Sequence, residues 1–121
     1  MLPNRMQLNK SVEEQLKKLK SQTGITPNVA ARIAFFKSIE SNFKFQHDKN
    51  YLLNGTLVLD KFTWLGRTQV ITELLLKQKY PDLDNRGLHA AWASHVENGS
   101  SNIRNHTSLY SIIKKETGCD T

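Results

Sequence analysis

The sequence predicts a mainly α-helical single domain, residues 1–121, that opens with a short strand followed by two helices. Three observations predict it. Apolar side chains recur at three- and four-residue spacing over most of the chain, cap and stop residues punctuate that spacing, and one short alternating segment precedes it. No repeat or low-complexity linker divides the chain, whose length suits one domain. Within it, residues 1–50 form a basic strand–helix–helix part and residues 51–118 a helical part.

Residues 4–9 alternate polar and apolar, so an extended strand would turn Met6 and Leu8 to one side and Arg5, Gln7 and Asn9 to the other. A strand this short needs a pairing partner. Ser11 and Glu14 have capping-box spacing and open the first helix, which carries Val12, Leu16 and Leu19 on one stripe and Lys17, Lys18 and Lys20 mostly off it. Gly24 is its stop. Thr26 and Pro27 supply a hydroxyl cap and a proline at the first helical position, where no N–H is needed. That helix should run to about Ser41, with Val29, Ala30, Ile33, Phe36 and Ile39 packed inward and Arg32 and Lys37 on or near the solvated side.

Residues 42–50 read as a loop. Asn54 and Gly55 between apolar residues are a tight-turn signal, so a short hairpin is expected near 51–59. The segment 57–65, with Phe62 and Trp64, should pack under the core. Thr68 to Tyr80 reads as a helix with Val70, Ile71, Leu74 and Leu75 clustered, ended by Pro81. Asp84 caps a helix over about 85–98 that lines up Leu88, Ala91, Trp92 and Val96, and the run from Asn98 to Ser101 breaks it. Thr107 opens a last helix with Leu109, Tyr110, Ile112 and Ile113, stopped near Gly118.

The chain carries 17 Lys+Arg against 11 Asp+Glu, a formal net charge of +6. Residues 1–50 hold nine of the basic side chains and four of the acidic ones; residues 51–121 hold eight and seven. A basic field so localised draws polyanions and adds salt-dependent affinity through counterion release. The single cysteine excludes an internal disulfide framework and a multi-cysteine zinc site. No apolar run approaches the length of a membrane span and no signal-peptide core is present, so a cytoplasmic protein is expected.

Groups for catalysis are few. His89 and His95 stand six apart, off the helical spacing that aligns metal ligands, and His106 lies elsewhere; all three read as surface or packing histidines. Cys119 has no activating motif and Asp82 and Asp84 read as helix-capping acids. Gly66, Gly87 and Gly99 are isolated, so no phosphate-cradling loop can be written. The chain therefore reads as a non-enzyme that needs no metal or cofactor.

The order of strand, lysine-rich helix and Gly-x-Thr-Pro turn into a second helix is ribbon–helix–helix-like, an architecture in which two chains pair strands and helix N-termini hold phosphates. Candidate DNA contacts are Arg5, Lys10, Lys17, Lys18, Lys20, Arg32 and Lys37, with Gly24, Thr26 and Pro27 fixing the turn. If bases are read, Arg5, Gln7 and Asn9 are the readers; otherwise the lysines grip backbone phosphate without sequence preference.

The stretches Asn4–Ser11, Gln22–Ala34 and Leu59–Gly66 resemble the DndE family of the bacterial DNA phosphorothioation, or DNA sulfur modification, system. The resemblance covers roughly residues 1–66. It implies a system in which sulfur replaces a non-bridging phosphate oxygen of DNA, with the catalytic steps carried by a cysteine desulfurase, an iron–sulfur protein and an ATPase. It implies for this chain a DNA-binding accessory subunit, homo-oligomeric with a tetramer favoured, and a preference for nicked duplex. The lone cysteine agrees with a chain that does not carry the sulfur itself. Two other functions stay open on the residues alone: a ribbon–helix–helix repressor of its own operon, reading bases through Arg5, Gln7 and Asn9, and a scaffold whose basic face meets an acidic protein.

Overall fold

The computed structural model describes residues 1–47 and 51–103. The predicted helix from Thr107 to Gly118, with His106 and Cys119, lies outside them. Strand β1 (Arg5–Met6) leads into helices α1 (Lys10–Thr23) and α2 (Pro27–Glu40); strand β2 (Leu59–Asp60), the short helix α3 (Lys61–Leu65), α4 (Gln69–Lys79) and the long α5 (Asn85–Ile103) follow. The chain is mainly helical, with one two-stranded antiparallel sheet.

The alternation at the N-terminus is realised. Met6 and Leu8 are buried and Arg5 is exposed. The pairing partner comes from the same chain: Arg5 stands opposite Asp60 and Met6 opposite Leu59. The hairpin expected near 51–59 does not form, because its would-be second strand is spent on β1. Gly55 serves a close approach instead. Its N–H donates to Leu8 O at 2.7 Å, and a β-carbon there would sit 2.7 Å from that oxygen and 2.8 Å from Glu13 Oε1.

Helix α1 begins one residue before Ser11 and is capped by Asn9, whose side chain accepts from the Ser11 N–H at 3.0 Å and from its hydroxyl at 2.9 Å. The capping box from Ser11 to Glu14 is therefore not used. Val12, Leu16 and Leu19 form the buried stripe as the spacing predicts, and Gly24 ends the helix in the left-handed conformation at φ 80°.

Helix α2 starts at Pro27 after Thr26, as predicted, but its buried face is turned from the predicted one. Ala30, Ala31, Ala34, Phe35 and Ser38 are inside, Val29 is exposed, and Ile33, Phe36 and Ile39 are only partly covered. Small residues take the inner face because α5 crosses there at very short range. A β-carbon on Gly99 would lie 1.8 Å from Ala34 O. For the same reason the run from Asn98 to Ser101 does not break α5, which continues to Ile103. Asp84 does cap it, accepting from the Gly87 N–H at 2.8 Å.

The core joins Trp64 and Trp92, edge to face at 5.4 Å, with Met6, Leu8, Leu16, Phe35, Leu65, Leu76 and Val96. Trp64 also ties helix to strand, its indole N–H donating to Met6 O at 2.8 Å. Phe62, expected beneath the core, is 70% exposed. In α4 the buried residues are Thr72, Glu73 and Leu76, whereas Val70, Ile71 and Leu74 face out.

Candidate nucleic-acid interface

The candidate basic residues separate into three places. Lys10, Lys17, Lys18 and Lys20 all lie exposed on α1. Helical spacing puts Lys10, Glu14, Lys17 and Ser21 on one outer stripe, with Lys18 and Lys20 on its two flanks. One exposed acid, Glu14, thus shares a face with four lysines. Lys17 reaches Glu13 at 3.2 Å, yet its side chain keeps half its exposure, 51%. Lysines on flexible stems suit phosphate oxygens as mobile point charges.

Beneath that face lies a residue that neither the apolar stripe nor any motif singled out. Glu13 is 3% exposed and accepts from the Leu57 N–H, from the Thr56 hydroxyl at 2.9 Å and from Lys17. Burial pushes its carboxyl up, but these hydrogen bonds outweigh burial and hold it below the ordinary carboxylate value. Glu13 so fixes the 55–57 loop to α1 and keeps the helix from turning its lysines elsewhere. Its signal in the sequence was a carboxylate at a position where the stripe of Val12, Leu16 and Leu19 runs.

Arg5 sits apart, in a cleft of about 450 Å³ lined also by Gln7, Asn85, Arg86 and His89. Arg86, exposed and unassigned by the sequence, makes this a second cationic spot. Gln7 and Asn9 are not free to read bases. Gln7 donates from Nε2 to Gly55 O at 3.0 Å and Asn9 from Nδ2 to Leu52 O at 3.2 Å, both holding the 52–55 loop. His89 lies with Nε2 against the Gln7 backbone, 2.9 Å from its oxygen, and burial pushes its ring below the ordinary histidine value.

Arg32 is not on the solvated side. Its guanidinium donates from Nε to Trp64 O at 2.8 Å and from a terminal nitrogen to Thr63 O at 2.9 Å, fastening α2 to α3. Lys37, half-buried, lines a groove of about 290 Å³ on α2 with Ile33, Phe36 and Glu40. The turn residues Gly24, Thr26 and Pro27 are placed as expected, though the Thr26 hydroxyl makes no cap hydrogen bond.

His95 is a packing histidine with a full set of partners: Nδ1 lies 2.7 Å from Ser38 Oγ and Nε2 2.7 Å from the Tyr80 hydroxyl. Each hydroxyl also accepts a further donor, Tyr80 from the Phe45 N–H at 2.7 Å and Ser38 from Asn98 Nδ2 at 2.9 Å, so both ring nitrogens of a neutral imidazole are satisfied. Burial, with Lys79 nearby, pushes this imidazole down to about 4. Among the described residues no three His, Cys, Asp or Glu side chains converge as metal ligands. No helix among them is long and apolar enough to cross a membrane.

The family described as DNA sulphur modification protein DndE matches residues 5–111. Among solved structures, DndE from Escherichia coli B7A, described as involved in DNA phosphorothioation modification, is 58% identical with a TM-score of 0.80, over 85% of this chain and 99% of that one. A DndE variant with two glycines changed to lysine, described as involved in DNA phosphorothioation, is 55% identical with the same TM-score and coverage. No match was found among curated proteins.

Proposed function

The chain belongs to the DndE family, and from that premise we propose that it is a non-catalytic, DNA-binding, homo-oligomeric subunit of the bacterial DNA phosphorothioation system. It holds duplex DNA by its phosphates, at a strand break in preference to intact duplex, and presents it to the iron–sulfur and ATPase components that carry out sulfur transfer. The oligomer is a tetramer. The observation that carries this is the outer face of α1, where Lys10, Lys17, Lys18 and Lys20 are exposed with one acid among them.

Mechanistically, each lysine that meets a phosphate releases a condensed counterion and asks nothing of the base sequence. Arg5 and Arg86 form a smaller cationic spot that extends the footprint. Arg32 belongs to the fold, since its donors are already used on Trp64 and Thr63. Base readout by Gln7 or Asn9 would first require breaking their bonds to the 52–55 loop, which speaks against a sequence-reading repressor.

A gel shift over a salt series on nicked and intact duplexes, with size exclusion alongside, tests the proposal. Lys18→Ala with Lys20→Ala removes two phosphate contacts without touching Glu13. Affinity should fall on the order of tenfold and the slope of log affinity against log salt by about 1.8, with oligomeric mass unchanged. Lys17→Ala with Lys18→Ala should behave alike. Unchanged affinity in both double variants would remove α1 from the DNA interface.

A further inference from the structure

We propose that the exposed apolar face of α4, together with the groove beside it on α2, docks a second protein that presents an apolar strip bordered by carboxylates. This rests on the proposal that the chain works as a subunit beside other proteins.

The face is made of Val70, 78% exposed, Ile71, 44%, and Leu74, 52%; Phe62 of α3 is exposed as well, at 70%. The three α4 side chains leave roughly 300 Å² of apolar surface in water, within the few hundred Å² at which an exposed patch marks an interaction site. The groove adjoins it. Thr68, at the start of α4, is one of its walls, with Ile33 and Phe36 opposite, and Ile71 stands one helical turn beyond Thr68. The ridge alone is well under half of the roughly 800 Å² that one partner contributes to a stable interface, so the occupant must reach into the groove as well.

Charge selects the occupant. Arg67 precedes Val70 by three residues and Lys77 follows Leu74 by three, both exposed, so one stripe runs cation, valine, leucine, cation. The acid of α4 itself, Glu73, is turned inward, 9% exposed. Any two-fold pairing of this stripe with its own copy sets cation against cation: Arg67 meets Lys77 if the helices run antiparallel, and each meets its own counterpart if they run parallel. Like charges set face to face exclude a partner, whereas carboxylates flanking an apolar strip satisfy both ends. The wall of the groove holds one carboxylate, Glu40, at the far end of α2. Duplex DNA has no use for the ridge, because phosphates gain nothing from valine and leucine.

Purified chain is titrated calorimetrically with the purified iron–sulfur and ATPase components, as wild type, as Val70→Glu with Leu74→Glu, and as Arg67→Glu with Lys77→Glu. Mass in solution and nicked-duplex gel shift are measured in parallel. The wild type should bind one of the components, and each double variant should bind it at least tenfold more weakly with its own mass and DNA affinity unchanged. Val70→Ser with Leu74→Ser repeats the test without new charge should the glutamate variant fail to fold. Unchanged binding in these variants overturns the proposal, and so does a wild type that binds neither component. Loss of oligomeric mass in the α4 variants overturns it too, giving the face to a second copy. A wild type that fails to bind DNA would sink the function of α1 and leave this surface untouched.

Discussion

Helices α1 and α4 solve the same problem on their inner faces and opposite ones on their outer faces. Each buries a glutamate that pins extended chain against it. Glu13 of α1 holds Thr56 and Leu57, and Glu73 of α4 holds the Leu2 N–H at 3.0 Å and Lys61 at 3.3 Å. In both, burial raises the carboxyl and hydrogen bonds outweigh it, leaving it below its ordinary value. Outside, α1 shows lysines and α4 shows valine, isoleucine and leucine. Once a polar anchor fixes how a helix sits, its outer face is free to differ, basic on α1 and apolar on α4.

Removing the anchors should break the likeness most severely. Glu13→Ala removes a buried carboxylate and its charge-assisted hydrogen bonds to the part-buried Leu57 N–H, the Thr56 hydroxyl and Lys17, and should cost about 3 kcal/mol of unfolding free energy, read by denaturant titration. Glu73→Ala, which frees the Leu2 N–H and Lys61, should cost about 2 kcal/mol by the same measurement. Negligible losses would mean that apolar packing alone sets the two helices.

Acid should separate the two regions. His95 is neutral when folded and held at about 4, whereas an unfolded histidine titrates near 6.5. The unfolded chain therefore takes up the proton first, and stability should fall by on the order of 2 kcal/mol as pH drops from about 6.5 to 4. Because Tyr80 at the end of α4 is the partner of His95, amides there should open before those of α1 in a pH series of hydrogen exchange. The glutamates act lower. Their contribution is complete above the ordinary carboxylate value and is lost as pH falls below it through their folded values.

The smallest effect is expected on the outer faces. Val70→Ser, at 78% exposure, should leave the thermal midpoint unmoved and stability within about 0.5 kcal/mol. The same change at a buried valine such as Val12 or Val96 would not be so tolerated. A large loss at Val70 would show that the apolar side of α4 packs within the chain and is not a surface for a partner.

Local chemistry was legible in the sequence wherever neighbours along the chain decide the outcome. Gly24 stops α1, Pro27 starts α2 and Asp84 caps α5, because each acts on backbone groups a few residues away. The alternation of Met6 and Leu8 and the stripe of Val12, Leu16 and Leu19 were legible for the same reason, one period matching one buried side. Apolar clustering misled in α2 and α4, where the most hydrophobic side is not the innermost. In α2 the close crossing of α5 demands alanines, and in α4 a threonine and a glutamate go inside.

By itself, then, the sequence determined a basic stretch over residues 1–50, three lysines off the apolar stripe of the first helix, and the order of helices that follow. Only the tertiary structure decided that β1 finds its partner at Leu59 and Asp60, that Gln7, Asn9 and Arg32 spend their donors inside the chain, and that α4 shows its apolar side to water. These are contacts between residues tens of positions apart. Which donor meets which acceptor across that distance is set by how helices cross and which surfaces they cover, and neither is written in the spacing of any one segment.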